Sequence, residues 1–210
     1  MSNTLINQLR RLNSKERFFL VGYALDNPTF KLGVNYRQML SRELGVEVPE
    51  NAFCAMDFHL DWIYAALCAV GNPCVETLYT NDLNLIQGQQ EDVDLLIAFE
   101  SDGDTHMVLI EAKATSGWTN SQANSKARRL HGFFPDERER HRVVPHFILM
   151  SPQRPRGLIT DNWPAWMKAR HSDQPLWIEL PIPDDLQKVS RCDDKGLGDA
   201  EGAFWHLVKR

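Results

Sequence analysis

The sequence predicts an α/β protein with a mixed central sheet flanked by helices and with a helical extension at its N-terminus. Two apolar runs, 93–99 and 106–113, lie on either side of an Asp-Gly pair, which is a strong signal for a β-hairpin. A less regular strand is expected at 75–86, before the hairpin, and a helix at 119–130 and a strand at 144–150 are expected after it. Three strands, a helix and a further strand are typical of a mixed α/β sheet.

The N-terminal region is predicted to be mainly helical. Asn13, with Glu16 three residues later, resembles a capping box that precedes an apolar run. A second helix is expected from 35 to 44, where Gly45 can end it. A third helix is expected over 56–70, because five apolar residues recur there at spacings of three and four: Met56, Leu60, Ile63, Leu67 and Val70.

The later elements follow from similar signals. Both hairpin strands are apolar on both faces, so the sheet is expected to be covered on its two sides. The helix at 119–130 can be capped by Thr119 or Asn120. Three short elements are expected near the C-terminus: a helix at 162–170 and strands at 175–180 and 203–208.

Composition favours one compact domain, with a helical region 1–70 packing on an α/β core formed by 71–210. Hydrophobic residues make up 43% and charged residues 24% of the 210 residues, as in globular chains that bury a core without disulfides. The four cysteines lack metal-binding spacing, which predicts free thiols in a reducing cytoplasm. No run approaches the ~18–20 apolar residues that span a bilayer, so no membrane partner is expected. The sequence leaves the oligomeric state open, with a homodimer as one expected form.

The hairpin brings two carboxylates together. With Asp102-Gly103 at the centre of the turn, the numbers of facing residues add up to 205, so Asp94 faces Glu111. Two opposed carboxylates in a covered sheet repel each other, and a divalent cation between them would remove that repulsion. Lys113 lies two residues after Glu111, so it shares the same face of the strand.

This arrangement resembles the PD-(D/E)xK motif, with Asp94 followed by Glu111-Ala112-Lys113 at the end of the next apolar strand. That nuclease superfamily includes many restriction enzymes, Holliday-junction resolvases and repair exonucleases, and the resemblance covers roughly residues 75–150. It implies a restriction-endonuclease-like core in which Asp94, Glu111 and the Ala112 carbonyl bind Mg²⁺ or Mn²⁺ and Lys113 is catalytic. Gln122 matches a glutamine that many members carry on the following helix. The implied activity is metal-dependent hydrolysis of phosphodiester bonds. DNA is the expected substrate, and RNA is the alternative that the sequence leaves open.

The sequence departs from the family pattern at two points. Val93 stands where the proline of the motif's name would be. Several families also supply another acidic ligand from an upstream helix. Asp61 is the expected ligand of this kind, with Asp57 as the other candidate.

A local excess of positive charge favours nucleic-acid binding, although the whole chain carries a net charge of −5. Region 126–156 holds eight Lys and Arg residues against three acidic residues. Lys126 and Arg129 follow Gln122 at helical spacing, which predicts a phosphate-contacting edge with Arg128 beside it, or else a solvated helix face. Trp118, between strand and helix, could stack on a base or could simply pack in the core.

Two other functions compete with hydrolysis. The chain could be a non-catalytic DNA- or protein-binding domain of the same fold, or a helical adaptor for which the α/β part is only a scaffold. The complete set of Asp94, Glu111 and Lys113 favours catalysis, because a domain that only binds would be free to lose one of them.

Overall fold

The computed structural model describes residues 4–12, 15–26, 30–70, 78–88, 91–114, 116–135, 142–183 and 185–209. Its elements are α1 (Leu5–Arg11), α2 (Glu16–Ala24), α3 (Val34–Leu44), β1 (Phe53–His59), α4 (Leu60–Ala69), β2 (Asp92–Ser101), β3 (Asp104–Ala112), α5 (Asn120–Phe133), β4 (Val143–Ser151), a short 3-10 helix (Ala165–Met167), β5 (Leu176–Glu179), β6 (Gln187–Cys192) and β7 (Phe204–Lys209). In the described part of the chain, no helix is long and apolar enough to cross a membrane.

Five strands form a mixed sheet in the order β1-β2-β3-β4-β5. The pairs β1–β2 and β2–β3 are antiparallel, whereas β3–β4 and β4–β5 are parallel. Strands β6 and β7 form a separate antiparallel pair. The predicted fold class, a mixed central sheet flanked by helices, is therefore confirmed.

The hairpin between β2 and β3 has the predicted centre and register. Asp102 and Gly103 adopt φ angles of 52° and 80°, as the two central residues of a type I′ turn require. Leu95 pairs with Ile110, and Ser101 pairs with Asp104, so facing numbers add up to 205 along the whole ladder. The ladder ends at this Leu95–Ile110 pair, and Asp94 and Glu111 are the next residues on the two strands.

Helices cover both faces of the sheet, as the apolar strands predicted. On one face, Leu96 and Leu109 pack in a core that includes residues of α1, α4 and α5. On the other face, Ile97 and Ile110 pack with Leu40 and other residues of α3. Since side chains alternate along a strand, Asp94 and Glu111 belong to the face that α5 covers.

The helix predicted over 56–70 is wrong in its first part. Residues 53–59 form β1, the edge strand of the central sheet, and α4 begins only at Leu60. Met56 fits the helical spacing, but it pairs with Leu95 and is 41% exposed. Pairing with β2 outweighs the local helical pattern here, and residues 53–59 therefore belong to the sheet rather than to a helical extension.

Other elements follow the sequence with local differences. Helix α3 matches its prediction and ends at Gly45 in the left-handed conformation, with φ 70°. Helix α2 begins at Glu16 with Lys15 as its N-cap residue, and Asn13 lies outside the described residues.

The strand expected at 75–86 is not formed over 78–86, and its first residues lie outside the described part. Only a single 3-10 turn forms within the helix expected at 162–170. Strands β4, β5 and β7 confirm the three other strand predictions, whereas β6 was not predicted.

Candidate active site

The side of the sheet that α5 covers contains a cleft of about 530 Å³. Residues of β2, β3 and α5 line it, together with the segment that joins β3 to α5. Six of the site residues predicted from the sequence meet in this cleft: Asp94, Glu111, Lys113, Trp118, Gln122 and Lys126.

A hydrogen bond from the main chain fixes the carboxylate of Asp94. Its Oδ2 accepts from the backbone N–H of Ala112, with an N···O distance of 2.6 Å. Ala112 lies between Glu111 and Lys113, so this bond holds the carboxylate against the strand segment that carries the other two groups.

Glu111 is a buried carboxyl, with only 9% of the residue exposed. Burial is the largest influence on its pKa and raises it to about 7; nearby Asp94 also raises it, while Lys126 and Lys113 act in the opposite direction. The charge of Glu111 therefore changes in the neutral pH range, where a change of pH can alter the site's affinity for a cation.

Lys126 is the internal counter-ion of Glu111. Its Nζ forms an ion pair with Glu111 Oε1 and also donates to the backbone oxygen of Asp92 at 2.5 Å. The side chain is only 13% exposed. In this structure Lys126 thus neutralises a carboxylate of the site, whereas the sequence predicted a contact with a substrate phosphate.

The raised pKa of Glu111 predicts a specific pH dependence of stability. A carboxyl whose pKa rises from 4.5 to about 7 on folding contributes stability that is complete below pH 4.5 and is lost as the pH rises through 7. Relative to Glu111→Gln, the wild type should lose on the order of 3 kcal/mol of unfolding free energy across this window. Urea unfolding of both proteins in EDTA at pH 5 and pH 8 measures the difference. Parallel pH profiles would show that Glu111 titrates normally.

Lys113 follows β3 directly and extends the ladder, because its N–H donates to Met150 O at 2.8 Å. Its side chain is half-buried, and its Nζ lies 6.0 Å from the centroid of the Trp118 ring. Among the described residues no carboxylate forms an ion pair with this ammonium group. Lys113 therefore brings a positive charge to the cleft that can act on a bound anion.

Asp61 lies outside the cleft, which corrects its predicted role as a metal ligand. Its Oδ1 accepts from Gln87 N at 3.0 Å and pairs with Arg129, and its Oδ2 accepts from Gly88 N at 2.8 Å. Both oxygens therefore bind protein groups. The other candidate, Asp57, pairs with Arg17 at 3.0 Å and does not line the cleft either.

Arg129 is buried, which corrects its predicted role as a phosphate contact. Its guanidinium pairs with Asp61 and with Glu91 at 3.2 Å, and its side chain is 3% exposed. The helical spacing from Lys126 to Arg129 suits a solvent-facing stripe. Instead, Arg129 is buried because it pairs with Asp61 on α4, which is 68 residues away in sequence.

The remaining basic residues of region 126–156 are distributed over several surfaces. Arg128 is exposed on α5 and lines neither this cleft nor the neighbouring one. Arg142 pairs with Asp104 at 2.9 Å. Arg154 and Arg156 line the neighbouring cleft. Arg138 and Arg140 lie outside the described residues.

Two further acidic residues line the cleft at the start of β2. Asp92 pairs with Lys15 at 2.6 Å, and Glu91 pairs with Arg129. The two-residue period of a strand places Asp92 on the face of Asp94, so this neighbour could be found from the sequence. Glu91 precedes the strand, and no sequence signal pointed to it.

The donor set fits a hard divalent cation that keeps several ligands from outside the protein. In the described ranges no group of three or more His, Cys, Asp or Glu residues could hold a metal ion. Mg²⁺ does not need such a group, because one or two carboxylates, several waters and substrate phosphates suffice. Asp94 and Glu111 can provide the two carboxylates, and the cleft has room for the other ligands.

The chain matches no family model, no curated protein and no solved structure. The assignment of an activity therefore depends on the residues of the cleft.

Proposed function

We propose that the protein is a Mg²⁺- or Mn²⁺-dependent phosphodiesterase of the PD-(D/E)xK type that hydrolyses DNA. The observation that carries this proposal is that Asp94, Glu111 and Lys113 line one cleft, just beyond the last pair of the hairpin ladder, Leu95 with Ile110. Glu111 is buried and the half-buried Asp94 raises its pKa further, so keeping both groups charged costs stability, which a bound cation would offset.

Each residue has a separate role in the proposed reaction. Asp94 and Glu111 would hold the metal together with the Ala112 carbonyl, and the metal would supply an acidified water and neutralise charge on a phosphate. The ammonium of Lys113 would stabilise the charge that develops on the phosphate. Gln122, which faces the same cleft from α5, would orient the attacking water by a hydrogen bond.

Mn²⁺ should raise the melting temperature of the wild type but not that of Asp94→Asn. Binding to the folded state adds about 2.7 kcal/mol of stability at an ion concentration about 100 times the dissociation constant. The rise should be larger at pH 8 than at pH 6, because the pKa of Glu111 is about 7 and a ligand carboxyl must lose its proton to bind the ion. Thermal unfolding with and without Mn²⁺ at both pH values measures this.

Asp104→Asn is the matched control for this measurement. Asp104 lies on the same strand as Glu111, but its side chain is 38% exposed and is remote from the cleft in the hairpin register. Its substitution should leave the Mn²⁺ effect intact. An equal Mn²⁺ effect in Asp94→Asn and in wild type would contradict the proposed metal site.

Cleavage assays test the activity itself. Plasmid, linear and branched DNA, with RNA as a comparison, should be incubated with Mg²⁺ or Mn²⁺ and with wild type or Asp94→Asn. The proposal expects cleavage of at least one DNA substrate by the wild type alone. Absence of cleavage from the whole panel, although Mn²⁺ binds, would overturn the proposed function.

One observation favours the alternative of a domain that binds DNA or protein without cleaving. Lys126 already neutralises Glu111, so the buried carboxylate has a cationic partner within the protein. In that case Mn²⁺ should not stabilise the fold, and DNA binding should persist in Asp94→Asn without any cleavage by the wild type.

A further inference from the structure

A second cleft, of about 600 Å³, adjoins the candidate active site. Lys113 and Trp118 line both clefts, so the two are immediate neighbours. The charged residues of the second cleft in the described part of the chain are all positive: Lys113, Arg154 and Arg156. The first cleft is different, because four carboxyl groups line it. The second cleft therefore favours an anion more than the first cleft does.

Trp118 is shared by the two clefts, and a buried serine fixes its indole ring. Ser151 Oγ, at the end of β4, accepts from Trp118 Nε1 at 3.4 Å and from Trp177 Nε1 at 3.1 Å, and it donates to Gln153 O at 2.7 Å. These three bonds use the full capacity of a hydroxyl group. Trp118 is only half-buried, so its ring is held in place without being enclosed.

The arginines of the second cleft can reach a ligand. Arg154 and Arg156 are exposed, and neither forms an ion pair within the described residues. The Arg154 guanidinium lies 5.3 Å from the centroid of the Trp177 ring, which orients it while leaving its N–H groups available. Arginine in this state forms strong, often bidentate, hydrogen bonds with phosphate.

We infer that the second cleft binds a single-stranded segment of the substrate, with its phosphates on Arg154 and Arg156 and a base stacked on Trp118. The identity of the substrate rests on the function proposed above. The segment must be single-stranded because both faces of a base in a duplex are covered by its neighbours, whereas an unpaired base can stack on a protein ring. The protein would thus act on strand ends, flaps or unpaired regions that cross from one cleft to the other.

Binding of a labelled oligothymidylate, measured by fluorescence anisotropy in EDTA, tests this inference without any metal. Trp118→Ala should weaken binding by roughly five- to a hundredfold, whereas Trp118→Phe should retain most of the affinity because it keeps an aromatic face. Arg154→Gln and Arg156→Gln should each weaken binding. Each should also reduce, by about one, the slope of the logarithm of the binding constant against the logarithm of the salt concentration. A duplex of the same length should bind more weakly than the single strand and be insensitive to Trp118→Phe and Trp118→Ala.

Arg42→Gln is the matched control, because Arg42 is an exposed arginine on α3, which covers the opposite face of the sheet. It should leave affinity and salt dependence unchanged. Equal effects of Arg42→Gln and of the two cleft arginine variants would overturn the inference, as would tighter binding of the duplex than of the single strand.

The binding and cleavage assays together separate this inference from the proposed function. If DNA is cleaved but the affinity for oligothymidylate is unchanged by substitution of Trp118, Arg154 or Arg156, this inference fails and the proposed function stands. If binding follows the expected pattern but no DNA is cleaved, the inference holds and the proposed function fails.

Discussion

Lys113→Met is expected to lower the rate of phosphodiester cleavage by about 10²–10³-fold while leaving the Mn²⁺-dependent rise in melting temperature intact. Lys113 is not among the proposed metal ligands, and its charge is expected to act mainly on the transition state, so its loss should affect the rate and not the binding of the ion. Methionine keeps the apolar part of the side chain beside Trp118 and removes only the ammonium group. Single-turnover cleavage and thermal unfolding with Mn²⁺ give the two quantities.

Lys188→Met provides the control for this substitution. Lys188 is exposed on β6, in the separate two-stranded sheet, and lines neither cleft. Its loss should change neither the rate nor the effect of Mn²⁺. If Lys113→Met cleaves DNA at the wild-type rate, Lys113 takes no part in the chemistry and the resemblance to the nuclease motif is misleading at its lysine.

The core of the candidate site could be predicted because its geometry depends on local sequence. An Asp-Gly pair fixes the hairpin turn, the turn fixes the register, and the register fixes which residues face each other. These local signals are sufficient to bring Asp94, Glu111 and Lys113 together. The helix that follows the hairpin is also a local feature, and α5 brings Gln122 and Lys126 to the cleft as expected.

The errors concern residues whose partners are distant in sequence. The pattern of apolar residues around Met56 suits a helix, and only pairing with β2, about 40 residues later, makes that segment a strand. The sequence favours a functional role for Asp61 and Arg129, but both are buried. Their mutual ion pair joins α4 to α5, and neither helix alone contains a signal for it.

The hydrogen bonds around Ser151 at the second cleft also join residues that are distant in sequence, so the sequence did not predict them. The sequence indicates Trp118 as a candidate for base stacking and places Arg154 and Arg156 in a basic region. What connects them is a hydroxyl at the end of β4 that binds two indole rings, one from before α5 and one from β5. Parallel pairing of β4 with β3 and β5 brings these groups together, and parallel strands are joined by connections too long for a local pattern to predict.

Arg129→Met is expected to destabilise the fold by about 3–5 kcal/mol. The substitution leaves the carboxylate of Asp61 buried, with two backbone N–H donors but without its cationic partner, and breaking a buried ion pair in this way is costly. Glu91 also loses its partner, although its side chain is 25% exposed and water can compensate there. Urea unfolding measures the loss, and adding Asp61→Asn to Arg129→Met should recover part of it, because the uncompensated charge is removed.

The neighbouring Arg128 makes this test specific. Arg128→Met removes the same charge from the same helix but from an exposed position, so its unfolding free energy should stay within about 0.5 kcal/mol of the wild type. Affinity for oligothymidylate, measured where Arg129→Met is still folded, should equal that of the wild type, because Arg129 lies beneath the surface and pairs with protein carboxylates. If Arg129→Met instead has nearly wild-type stability and binds DNA weakly, the guanidinium contacts the substrate in solution, and the phosphate-contacting edge predicted from the helical spacing of α5 is correct.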